Sequence, residues 1–255
     1  MISNQEVSQF VKHCESSLYV RLNNKLSHHI FRGISSLLWK NNPYTDAPNC
    51  MRQHLVFNEE KIIPKYCFDC YKIKIEPKTV IELLKLMLVF DRISLPDDNT
   101  RKCYVEFRPN VAGTYGGLIY FQALQDAKEA LNFVTPIVTE QVSPDIQISI
   151  KRGCTDFSMA YPEYGELDSN NNPIMKYDED WFKKETEFDT KGLTSHLSPL
   201  SFKHYNKGEF GVIESQTIFS WLRYAATIGD ASYRELTNLQ LPIITNLKRP
   251  KFQSN

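Results

Sequence analysis

The sequence predicts an α+β protein whose middle is a ferredoxin-like βαββαβ unit: a four-stranded antiparallel sheet with two helices on one face, flanked by helical N- and C-terminal extensions. Two observations carry this. Between Cys67 and Cys154 the hydrophobic period alternates between two and helical spacing in the order β, α, β, β, α, β. The composition is also that of an ordinary globular chain, with 255 residues, 42% hydrophobic, 12% aromatic, and 30 Lys+Arg against 30 Asp+Glu. These values exclude disordered and collagen-like classes. A net charge of zero removes the global basic field of a histone-like protein but leaves room for a local basic face. Three segments are expected: a helical lobe over residues 1–45, the α+β unit with its cysteines over 46–156, and a mixed, mainly helical elaboration over 157–255.

The N-terminal lobe begins with Ser3 and Glu6 in capping-box spacing, followed by Val7, Phe10, Val11 and Cys14 at helical intervals. A second helix is expected from Tyr19 to Trp39, its apolar face including Leu37 and Leu38, with His28 and His29 on different faces. Asn41–Asn49, with Pro43 and Pro48, reads as the turn that closes the lobe. In the middle unit, Tyr71–Ile75 alternates as a strand, and Thr79 with Glu82 caps a helix reaching Ile93. Lys102–Arg108 is a second strand, Gly113–Gly117 a turn, and Leu118–Phe121 its hairpin partner. A helix from Leu124 to Phe133 follows, kinked or restarted by Pro136, and then the strand Ile146–Ile150. Further on, Trp181–Phe188 reads as a short helix, Ser215–Ile228 as an amphipathic helix stopped by Gly229, and Pro242 and Pro250 mark an extended basic tail.

Met1–Phe10 has no apolar core behind a basic start, and Val80–Phe90 is interrupted by Glu82 and Lys85. It is also well short of the ~20 residues that span a bilayer. A cytoplasmic location without membrane partners is expected, and the six cysteines are read as reduced thiols or thiolate ligands. Cys67-Phe-Asp-Cys70 has the spacing of a metal knuckle, and the end of the fourth strand lies beside the start of the first, which brings Cys154 towards it. Cys50, Cys67, Cys70 and Cys154 are therefore candidate ligands for zinc or an iron–sulfur cluster, with His54 as an alternative fourth ligand. The competing readings are small buried hydrophobes without any metal, or a redox pair; opening a strand instead of a helix disfavours the latter. Cys14 and Cys103 are expected in the core.

Strand parity assigns Ile73, Ile75, Val105, Phe107, Ile119, Phe121, Ile146, Ile148 and Ile150 to the helix-covered face. The other face then carries Lys72, Lys74, Lys102, Tyr104, Arg108, Tyr120 and Lys151, with Glu106, Gln147 and Ser149. Cations interleaved with tyrosines suit nucleic acid or a phosphorylated ligand, charge meeting phosphate and rings meeting bases. Arg152, next to Gly153 and Cys154, is a further candidate grip on an anion, with the glycine letting a ligand approach the backbone. Tyr115–Phe121 followed by Asp126-Ala127 resembles the third strand and next helix of the RNA-recognition motif. Aligned so, Gly116 and Leu118 stand where that motif's stacking rings belong, and membership is not assigned.

No G-x-S-x-G elbow, P-loop, H-E-x-x-H or dinucleotide fingerprint is present, and Glu163, Glu166, His196 and His204 are isolated acid–base candidates. Three functions are compatible with these residues. The first is a cysteine-ligated metal protein that binds nucleic acid or a phosphorylated ligand on its basic, tyrosine-bearing sheet face. The second is an enzyme using a Cys67, Cys70 or Cys154 thiol, or an iron–sulfur centre, on an anionic substrate. The third is a subunit that uses the sheet face as a protein interface.

Overall fold

The computed structural model describes residues 1–23, 37–40, 49–108, 111–169, 172–192 and 212–236. Its strands are β1 (Leu37–Lys40), β2 (Tyr71–Glu76), β3 (Arg101–Val105), β4 (Tyr115–Phe121) and β5 (Gln147–Arg152). Its helices are α1 (Asn4–Asn23), α2 (Asn49–Glu60), α3 (Lys65–Phe68), α4 (Val80–Arg92), α5 (Leu124–Gln141), α6 (Thr155–Ala160), α7 (Pro162–Gly165), α8 (Glu179–Thr190) and α9 (Val212–Ile228), followed by a 3₁₀ turn at Ala231–Glu235. Local chemistry starts and stops several of these as read. The Ser3 hydroxyl accepts from the Glu6 amide at 3.1 Å, and Thr79 accepts from Glu82 at 3.2 Å while the Glu82 carboxylate accepts from the Lys78 amide at 2.6 Å. Gly229, at φ 85°, ends α9.

The four expected strands lie in one antiparallel sheet, and the chain is α+β. β1 adds a fifth strand at one edge, giving the order β1-β3-β4-β2-β5. This corrects the expected helix to Trp39. Residues 19–23 continue α1, residues 24–36 lie outside the described residues, and Leu37–Lys40 pairs with Tyr104–Arg101. An apolar run this short satisfies either period, and the open edge of β3 decided it. His28, His29, His196, His204, most of the 41–49 turn and the tail after 236 also lie outside the described residues.

Helices α1, α4, α5 and α9 share a core with the sheet, so residues of all three expected segments meet there: Val7, Val11, Leu83, Phe90, Val134, Trp221 and Leu222 pack with Ile73, Ile75, Val105 and Ile119. Cys14 and Cys103 belong to it as read. A second cluster holds Ile63, Cys67, Phe68, Phe157 and Tyr164, with Tyr177 and Trp181 against it. Among the described residues no helix is long and apolar enough to cross a membrane.

Three further expectations are corrected. Gly116 and Gly117 lie inside β4, not in a turn. A side chain on Gly116 would overlap the Tyr104 ring, and one on Gly117 would overlap Leu86 of α4, so the pair lets both faces of the sheet be closely covered. Helix α5 runs unbroken through Pro136, whose exposed position leaves the freed carbonyl to water. Strand β3 ends at Val105, so Phe107 is 55% exposed instead of buried beneath the helices, its ring edge-on to Tyr224 at 4.9 Å.

Candidate functional site: a thiol and lysines in an open cleft

Register places the site. On the sheet face away from the main core, Lys72 of β2 lies directly opposite Tyr120 of β4 on one side and Lys151 of β5 on the other. One level along, Lys74 lies between Leu118 and Ser149, and Leu118 is opposite Lys102 of β3. Lys72 is only 4% exposed, a burial that requires partners. Its ammonium donates to the Gly153 carbonyl at 2.8 Å, reaches the Cys154 sulfur at 3.4 Å and stands 5.1 Å from the centre of the Tyr120 ring.

Gly153 aims the cysteine. Its φ of 52° is left-handed, its amide donates to the Cys70 carbonyl at 2.7 Å, and a Cβ there would overlap the Tyr164 ring. The space the sequence suggested for a ligand is thus filled by Tyr164, whose hydroxyl donates to the Cys67 carbonyl at 2.5 Å. Across from Cys154, helix α2 supplies Cys50 and His54, one turn apart and so on one face. His54 lies against Phe157 at 5.5 Å between ring centres. Helix α2 is held by Arg52, which donates to Glu185 at 3.2 Å and to Asp189 at 2.7 and 2.9 Å. Glu185 also accepts from the Lys65 amide and the Tyr177 hydroxyl, tying α2, α3 and α8 together.

The thiols respond differently to this setting. Burial pushes Cys154 upward, but the Lys72 ammonium and the His54 imidazole outweigh it and bring the thiol down from an ordinary 9.0 to about 6. His54 is raised in turn, by its pairing with Cys154 against the effect of burial. Burial lifts Cys14 to about 11 and Cys67, Cys70 and Cys103 upward as well, and the exposed Cys50 is raised too, by desolvation within the cleft wall and by the neighbouring Cys154. Cys154 is therefore the thiol whose surroundings favour the thiolate, while those of the other five favour the thiol. Burial and the charge of Lys72 lower Lys102 and Lys151 to about 8.

These groups line a cleft of about 660 Å³. Seven of the eight residues read from the sequence as ligand-binding line it: Lys72, Lys74, Lys102, Tyr104, Arg108, Tyr120 and Lys151. Arg152 does not. It is 5% exposed, donates to the Phe68 and Met175 carbonyls at 3.0 and 2.8 Å, and stacks on Phe68 and Tyr164, so it braces the second cluster. Two of the lining cations are already engaged: Lys74 with Glu76 at 2.7 Å, and Arg108 with Glu106 at 2.8 Å and Asp156 at 3.0 Å.

Of the expected metal ligands, Cys50 and Cys154 line the cleft with His54, while Cys67 is packed among Phe68, Phe157 and Tyr164. Among the described residues no group of three or more His, Cys, Asp and Glu side chains could hold a metal ion. The cation that Cys50, Cys67, Cys70 and Cys154 all feel is the Lys72 ammonium. Sequence reasoning placed Lys72 on the open face but missed its pairing with the thiol; the signal was its register opposite Lys151, three residues before Cys154. The Arg52–Glu185 clamp had no sequence signal, its members being 133 residues apart. Compared with known proteins, the chain matches no family model, no curated protein and no solved structure.

Proposed function

We propose that the protein is an enzyme that uses Cys154 as a nucleophile on an anionic substrate. The observation that carries this reading is the Cys154 sulfur lying 3.4 Å from the Lys72 ammonium, in a cleft open to solvent that His54 also lines. Lys72 supplies the fixed charge that keeps the sulfur ionised. His54 holds the mobile proton. In the reaction the sulfur forms a bond to the electrophilic centre, and the leaving group departs with its electron pair and takes the proton from His54. The neutral imidazole then deprotonates water, which displaces the sulfur and restores the thiolate–imidazolium pair. The lysines orient the substrate's negative group. A cation at the centre of the cysteines favours this chemistry over a metal, which would have to displace or neutralise it. We also read the four central strands with α4 and α5 as a ferredoxin-like unit, on the strength of their order and the two helices packed on one face.

Alkylation by iodoacetamide, mapped by mass spectrometry across pH, tests the thiol. Cys154 is expected to react first, with a midpoint near 6, and His54→Gln is expected to move that midpoint upward. A midpoint in the range of an ordinary thiol, about 8.5, would remove the nucleophile. Turnover of anionic ester and thioester probes should vanish in Cys154→Ser while its circular dichroism stays that of the parent.

A further inference from the structure

Lys72 and Lys151 together bring more positive charge to the thiol than one thiolate balances. Lys72 and Lys151 are directly opposed cross-strand neighbours on one face, an arrangement of like charges that destabilises a sheet when nothing lies between them. Lys102 enters from a third strand, its ammonium 5.9 Å from the centre of the same Tyr120 ring that Lys72 approaches at 5.1 Å. Three ammonium groups from β2, β3 and β5 therefore converge beside Cys154. Among the described residues neither Lys72 nor Lys151 forms an ion pair with a carboxylate; Lys151 donates to the Thr155 hydroxyl. The two carboxylates that line the cleft, Glu106 and Asp156, are both bound to Arg108. One thiolate cannot balance the ammonium ions of both Lys72 and Lys151.

We propose that this cleft binds a phosphate monoester of a small molecule, its dianionic phosphate seated between Lys72, Lys102 and Lys151. Two charges on three tetrahedrally disposed oxygens match several ammonium donors arriving from different strands, whereas a carboxylate brings one charge in a plane that suits arginine better. The volume of about 660 Å³ is that of a small-molecule site, not of a groove that tracks a polynucleotide backbone. Lys74 and Arg108, committed to carboxylates, form its wall. The inference rests on the proposed reading only in seating the phosphate next to the reacting sulfur; the binding itself needs no thiol chemistry.

The test uses the full chain and inorganic phosphate, followed by calorimetry and by phosphorus NMR at fixed ionic strength, on the parent and on Cys154→Ser. Saturable binding to one site is expected in both, at least as tight in Cys154→Ser because a competing anion is gone, and with slower alkylation of Cys154 in the parent. Lys151→Gln and Lys102→Gln should each weaken binding about tenfold, the effect of one charge-assisted contact. Unfolding curves check that both variants fold. Absence of saturable binding in both proteins would overturn the proposal, as would unchanged binding in a variant that carries Lys102→Gln and Lys151→Gln together. Stronger binding of a single-stranded oligonucleotide than of phosphate would overturn its small-molecule form. An ordinary alkylation midpoint with phosphate binding retained would sink the nucleophile and leave this site standing.

Discussion

Gly153 couples backbone conformation to chemistry in a single residue. Its left-handed φ of 52° turns the chain at the end of β5 so that its carbonyl and the next side chain both meet Lys72. An alanine there would add the strain of a left-handed L-residue and an overlap with the buried Tyr164 ring. Gly153→Ala is expected to cost about 2–4 kcal/mol in urea unfolding. It is also expected to raise the alkylation midpoint of Cys154, because the sulfur would be re-aimed. Wild-type stability with an unchanged midpoint would show that the turn is not what positions the thiol. The same residue scale separates Arg152 from its neighbour Lys151. Adjacent in β5, they point to opposite faces, so one braces the Phe68–Tyr164 cluster and the other enters the cleft.

At the scale of elements, α2 is a wall of the cleft held by a clamp. It brings Cys50 and His54 to the cleft, but none of its described residues belongs to the main core; Val56 and Phe57 pack into the smaller clusters. Its hold on α8 runs through Arg52, half-buried between Glu185 and Asp189, with Glu185 itself 8% exposed. Removing one member of such a pair leaves a carboxylate short of partners. Arg52→Ala should cost about 2–4 kcal/mol. Because His54 would lose its fixed position, the alkylation midpoint of Cys154 should rise as well, while Arg52→Lys should restore part of the stability. Arg52 is a positioning residue in this scheme, and a stability loss with no movement of the midpoint would make it structural only. Helix α5 illustrates the opposite case, in which Pro136 changes little because the broken bond faces water.

For the whole molecule, Asp230 closes the arrangement of the main core. One carboxylate oxygen accepts from the Val80 amide at 2.7 Å and the Tyr115 hydroxyl at 2.8 Å, and the other from the Ser232 amide at 3.0 Å. The residue just beyond α9 thereby ties the start of α4 to the start of β4. Burial pushes its carboxyl upward, but these bonds outweigh it and hold it below the ordinary 3.8. A lowered folded value means that the stabilising contribution is fully present above the unfolded value of 3.8 and is lost as pH falls through the folded one. Asp230→Asn should cost about 1–3 kcal/mol at neutral pH. It should also flatten the acid limb of the stability–pH curve below pH 4. A variant with the parent's acid limb would show that the loss of stability at low pH arises elsewhere.

The sequence by itself determined the elements whose instructions are local. The alternation of Tyr71–Ile75 and the Thr79–Glu82 cap specify β2 and α4 from within a few residues, and seven of the eight residues read from the sequence as ligand-binding do line the cleft. Cys50 and His54 were likewise legible as a pair, because four residues make one helical turn. What the tertiary structure alone decided are choices between locally equivalent options. Leu37–Lys40 became a strand because β3 offered an unpaired edge, and Gly116 and Gly117 became strand residues because Tyr104 and α4 needed the room. The nature of the cysteine site was decided in the same way. Spacing can bring thiols near one another, but the character of the site depends on the charge that shares their space. Here that charge is Lys72, buried by contacts with Gly153, Cys154 and Tyr120 that lie 48 to 82 residues away along the chain.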